Sequence, residues 1–130
     1  MNAPVKPILG TAQDLAKWRG QVDRALRGQP VGFEQLADAI DEGRMFMFDS
    51  GEAFVVIEPQ GDPIQLVVVV GGGSQKGLEG LELVVSVWGS IIGATKLVAH
   101  AREGFWRRLK TQGWKKSRII IEKEISHGWR

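Results

Sequence analysis

Residues Ile64–Ala99 read IQLVVVVGGGSQKGLEGLELVVSVWGSIIGATKLVA, and two periodicities compete in them. Val67 to Val70 has no polar alternation, which suits a central strand covered on both faces. Gly71-Gly72-Gly73-Ser74 reads as the end of that strand. Leu83-Val84-Val85 then invites another strand, but Leu78, Leu81, Val85, Trp88 and Ile92 step by three, four, three and four, with Glu79, Glu82, Ser86 and Gly89 between them. The spacing predicts a helix over Leu78–Ile92, stopped by Gly93, despite its β-branched residues. Thr95–Ala99 follows as a strand. A strand, helix, strand unit of this kind closes as a right-handed parallel crossover, because a twisted strand feeds a helix back onto its own sheet only that way.

Working outward, Thr11 with Asp14 three residues later has the form of a helix start. Leu15, Trp18, Val22 and Ala25/Leu26 give one apolar helix face, closing near Gly28 and Pro30. A second helix carries Phe33, Leu36, Ala37 and Ile40 on one side, and Gly43 suits the left-handed residue after it. Met45–Phe48, Ala53–Glu58 and Ile64–Val70 are short β-favouring runs separated by turn residues, hence an antiparallel meander. Toward the C-terminus, Arg102–Gln112 reads as a helix capped by Gly113, and Arg118–Ile125 as a last strand. The expected order is ααβββαβαβ: an α/β mixed sheet, mostly antiparallel with one parallel crossover, and helices on both sides. Residues 1–130 are expected to form one domain, with 1–10 a peripheral lead and 126–130 a peripheral tail.

Composition bounds the function. The 130 residues include 43% hydrophobic and 25% charged residues and no cysteine, with a net charge of +2, so one core forms without disulfides. The lack of cysteine agrees with a reducing compartment. The longest strongly apolar stretch, Ile64–Gly73, falls far short of the ~20 residues of a membrane helix, and no signal pattern opens the chain. A cytoplasmic protein is expected, with no membrane. His100 and His127 are the two histidines, which leaves no His/Cys metal set and argues against a zinc centre. A Gly-x-Ser-x-Gly hydrolase elbow is also missing. Trp18, Trp88, Trp106 and Trp114 sit where they would pack against the sheet.

Charge is uneven: residues 1–100 hold 8 Lys/Arg against 12 Asp/Glu and residues 101–130 hold 9 against 3, net −4 and +6. Arg102, Arg107, Arg108, Lys110, Lys115, Lys116 and Arg118 supply the basic segment. They can favour a helix C-terminus, attract a cofactor phosphate, or touch an acidic partner such as nucleic acid or a virion surface. No helix-turn-helix, zinc finger or aromatic RNA-binding motif accompanies them, which argues against sequence-specific nucleic-acid readout.

The element order, together with Glu42-Gly43-Arg44-Met45-Phe46 at the end of the helix pair, Ala101-Arg102-Glu103-Gly104 through Leu109 to Gly113-Trp114, and Glu122-Lys123-Glu124-Ile125, resembles the GNAT acetyltransferase superfamily. The likeness is stronger to the small GNAT-like proteins of phages and prophages and runs from about Asp14 to Ile125. It implies acetyl-CoA as cofactor, held where the third and fourth strands splay, with its pyrophosphate on amides before the central helix, chemistry that needs no cationic side chain. The matching segment is Gly72-Gly73-Ser74-Gln75-Lys76-Gly77. It departs from the family's Gln/Arg-x-x-Gly-x-Gly/Ala loop, since counting from Gln75 the first glycine falls on Leu78. The family's leaving-group acid, a tyrosine four residues before the Gly-aromatic pair, corresponds to Leu109, and the chain has no tyrosine. Glu58, at a strand end, and His100, at the end of the parallel strand, are the candidate bases. Two functions follow from the resemblance: a phage or prophage binding, virion-associated or assembly protein that has lost transfer chemistry, or an active acetyl-CoA-dependent N-acetyltransferase.

Overall fold

A computed structural model describes residues 8–100, 115–117 and 120–125. Its strands are β1 (Ile8–Gly10), β2 (Phe46–Asp49), β3 (Ala53–Gln60), β4 (Gln65–Gly73), β5 (Lys96–His100), β6 (Lys115–Ser117) and β7 (Ile120–Glu124). The described helices are α1 (Ala12–Ala16), α2 (Arg19–Ala25), α3 (Phe33–Asp41) and α4 (Gln75–Ile92). The strands form one sheet in the order β1-β2-β3-β4-β5-β7-β6. Every neighbouring pair is antiparallel except β4 with β5, the crossover joined by α4.

Alternation along β3 divides the core. Ala53, Val55 and Ile57 turn toward α4 and pack with Leu81, Val85, Leu66 and Leu97. Phe54 and Val56 turn the other way, onto Leu15, Val22 and Leu36 of α1, α2 and α3. A period of two on a strand covered on both faces gives this result when nearly every residue is apolar. Trp88 is half-buried, with its ring 4.9 Å from Phe46 and 5.4 Å from Phe48.

The mixed sheet stands as expected, and several boundaries differ. The third strand of the meander does not end at Val70: β4 runs through Gly73, because Gly71, Gly72 and Gly73 pair with Val55, Phe54 and Ala53. The helix after it begins at Gln75 and not Leu78, since the side chain of Ser74 accepts from the Gly77 amide at 3.0 Å and starts the turn there. Gly93, at φ 88°, ends it in the left-handed conformation that glycine adopts without a Cβ penalty. The single first helix is two, α1 and α2, broken at Lys17-Trp18. There the Trp18 ring stacks on Phe54 at 4.9 Å and its Nε1 donates to Asp49 at 3.2 Å, so the chain bends to seat the indole.

Two strands were not expected. Ile8–Gly10, in the lead, pairs with Asp49, Phe48 and Met47 as an edge strand, and Lys115–Ser117 pairs with β7. Neither carries a strand pattern of its own; pairing with a longer neighbour makes each one. The last strand is Ile120–Glu124. The helix expected over Arg102–Gln112, its cap Gly113, Trp106, Trp114 and the tail 126–130 lie outside the described residues.

Candidate functional site

The parallel pairing of β4 and β5 is short. Gln65–Val68 pair with Lys96–Ala99, and β4 then continues to Gly73 with β3 alone. The opening coincides with a bulge: Val56 pairs with Val70 and Ile57 with Val68, so Val69 is the extra residue. A bulge bends its strand and sharpens the local twist. Val68 packs toward α4, while Val69 and Val70 both turn to the α1–α3 side. Beyond Val68, the β5-facing backbone edge of β4 has no strand partner among the described residues, and its amides and carbonyls line a wedge.

At the mouth of that wedge stands the N-terminus of α4. Of its first-turn amides, Gly77 donates to Ser74 Oγ at 3.0 Å and Leu78 to the Ser74 carbonyl at 2.9 Å. The amides of Gln75 and Lys76 have no acceptor among the described residues, and both residues are exposed. Two free amides at the positive end of an eighteen-residue helix, with the Lys76 ammonium beside them, favour an anion.

The glycines of this segment meet a different demand. A Cβ on Gly72 would run into the Gln21 side chain and lie 3.0 Å from Phe54. Gly73, at φ 108°, would bring a Cβ onto the Glu52 carbonyl oxygen, and Gly77 would bring one to 2.8 Å from the Ala53 Cβ. Close approach of β3 and α2 therefore accounts for all three. The six residues of the expected cradle, Gly72 to Gly77, are two strand glycines, one helix cap, two residues with free amides and one packed glycine.

Glu58 is not at the strand end, because β3 continues through Pro59 to Gln60. It is half-buried, shares its sheet face with Val56, and accepts from Gln60 Nε2. Its register partner is Val67, which pairs in turn with Val98. This puts Glu58 on the far side of β4 from the wedge, one register position before the last β4–β5 pair. His100 is the last residue of β5 and pairs with Ile120. The two candidate bases thus stand on strands separated by β4. Of the basic segment, only Lys115 and Lys116 fall within the described residues, on edge strand β6. Among the described residues no group of three His, Asp or Glu could hold a metal, and no helix is long and apolar enough to cross a membrane. The bulge at Val69 is the feature that sequence reasoning missed; inside a run of four valines no residue type marks it.

No known family model matches the sequence, and no curated protein matches it. Solved structures do match in fold. The ribosomal-protein-S18-alanine N-acetyltransferase from Escherichia coli superposes with a TM-score of 0.71 at 15% identity, covering 93% of this chain and 94% of that one. An N-acetyltransferase from Staphylococcus aureus Mu50 gives 0.69 at 8% identity over 92% and 97% of the two chains. A putative N-acetyltransferase from Lactobacillus plantarum gives 0.67 at 14% identity over 93% and 98%. At such identities the likeness is one of fold: the chain has the mixed α/β architecture of GNAT acetyltransferases.

Proposed function

We propose that the chain is an N-acetyltransferase that takes its acetyl group from acetyl-CoA. One observation carries this reading: the β4–β5 wedge, opened by the Val69 bulge, leads to the two free amides of Gln75 and Lys76. The donor set fits the cofactor. The amides and Lys76 suit a pyrophosphate, and the unpaired edge of β4 suits the amide groups of a pantetheine arm. When bound, acetyl-CoA supplies a thioester carbonyl open to attack by an amine. We assign the base to Glu58, across β4 from the wedge: it would take the proton that the attacking amine loses as the C–N bond forms and the C–S bond breaks. His100, at the end of β5, is the alternative base. The chain has no tyrosine to protonate a leaving thiolate, so solvent would supply that proton.

Titration calorimetry with acetyl-CoA tests the binding. A Kd tighter than about 100 μM, about −5.5 kcal/mol, is expected. Gln75→Pro removes one free amide while keeping the helix, because Ser74 already has the extended φ −72°, ψ 149° that a following proline requires. This variant is expected to bind about tenfold more weakly. Glu58→Gln is expected to keep affinity and to slow acetylation of a panel of primary amines about 100-fold. Wild-type protein that does not bind acetyl-CoA at millimolar concentration overturns the reading. A second reading, a phage binding or virion-assembly protein without transfer chemistry, is favoured by the missing tyrosine. It is distinguished by acetyl-CoA binding with no acetylation of any amine, or by no binding at all.

A further inference from the structure

The outer face of α4 is built unlike that of any other described helix. From Leu83 to Ile92 the sequence LVVSVWGSII has no ionisable residue. Leu83, Val87 and Ile91 are 69%, 50% and 67% exposed, and their spacing of four places them along one stripe. The apolar surface continues sideways. Val84 and Trp88 are half-buried, Trp88 leans on Phe46 and Phe48, and Leu9, which pairs with Phe48 at the edge of the sheet, is 53% exposed. A helix that lies on a soluble domain ordinarily turns charge outward, and one apolar all round is covered on all sides.

We infer that this face is where two copies of the chain meet, α4 against α4 in antiparallel orientation across a two-fold axis at Val87. Two observations select a second copy as the occupant. Near a two-fold axis every charge faces its own image, so a self-pairing surface must be neutral at its centre, and residues 83–92 are. The stripe is also self-complementary: with Val87 on the axis, Leu83 of one copy lies opposite Ile91 of the other, four residues to either side. The exposed parts of Leu83, Val87 and Ile91 amount to roughly 300 Å² of apolar surface, about two fifths of the ~800 Å² that one partner gives to a standard interface. Val84, Trp88 and Phe46 border the stripe and supply further area. The opposite layer differs, since Arg19, Asp23 and Glu34 there form exposed ion pairs.

Sedimentation equilibrium on the full chain, with and without Val87→Glu, tests the inference. The wild type is expected to be a dimer at micromolar concentration, and Val87→Glu to raise the dissociation constant at least 100-fold with an unchanged circular-dichroism spectrum. A wild type that remains monomeric at ~100 μM overturns the inference, whether the face then proves to bind lipid vesicles or a different protein; so does a Val87→Glu protein that still dimerises. Should Val87→Glu fail to fold, cysteine cross-linking decides, made clean by the absence of native cysteine. Val87→Cys is expected to oxidise to a linked dimer, and Asp23→Cys on the opposite layer is not. Equal linking of the two, or none with Val87→Cys, overturns the interface.

Discussion

Among the described residues, three helices of five, seven and nine residues lie on one face of the sheet, and α4, with eighteen, lies on the other. The short helices are below the length at which a helix holds itself, so each depends on local fixings and on the core beneath. Thr11 and Asp14 form a reciprocal cap at α1, Trp18 is tied to Asp49 and Phe54, and Arg19 spans Asp23 and Glu34 while lying 4.4 Å over the Phe33 ring. Such exposed ion pairs add little stability but keep the outer surface wet. The long helix needs only Ser74 at its start and Gly93 at its end, and its outer surface is free to be apolar. The difference teaches that the two layers answer to different constraints: the α1–α3 layer is secured piece by piece, and α4 is secured by burial and shaped outside for contact.

The largest expected effects probe the two cores directly. Phe54→Ala, removing a fully buried ring under α1–α3, should cost about 3–5 kcal/mol in urea unfolding. Trp88→Ala, which removes the α4 ring that packs on Phe46 and Phe48, should cost about 3 kcal/mol, nearer the lower end because the ring is half-buried. A Trp88 loss larger than that of Phe54 would break the comparison, by making α4 the more tightly secured layer. Gly73→Ala should cost about 2 kcal/mol, since the positive φ and the approach of Glu52 and Ala53 both resist a side chain. Gly80→Ala is the contrast within α4: a Cβ there meets nothing within 4 Å, and a helix-interior alanine should gain about 0.5–1 kcal/mol, seen as a raised melting temperature.

Thr11→Ala, which removes the α1 cap, should cost about 1 kcal/mol. The smallest effect is on pH. The Thr11 amide, then its hydroxyl, hold the Asp14 carboxyl below its ordinary value of 3.8. The unfolded chain therefore takes up this proton first, so the contribution of Asp14 is present above about pH 3.8 and is lost as the pH falls through the lowered folded value. Asp14→Asn should flatten this acid limb, measured by thermal melts between neutral pH and pH 3. An unchanged limb would show that the α1 fixing is dispensable, and the contrast with α4 would lose its sharpest detail.

What the sequence determined by itself is what periodicity and turn chemistry encode. The three and four spacing from Leu78 to Ile92 outweighed the β-branched residues in naming a helix, Thr11 with Asp14 marked a start, and Gly43 and Gly93 marked ends at positive φ. The mixed sheet with its parallel crossover followed, because handedness leaves one way to close that unit. Tertiary structure decided the rest, wherever a residue's role depends on a neighbour distant in the chain. Gly72 and Gly73 look like a loop until β3 pairs with them. Lys115–Ser117 and Ile8–Gly10 become strands only beside β7 and β2. Trp18 breaks a helix for the sake of Phe54 and Asp49, thirty-one residues ahead in the latter case. The wedge is the clearest instance: a run of valines looks the same at every position, and only the register of β3 makes Val69 the extra residue where β4 and β5 part.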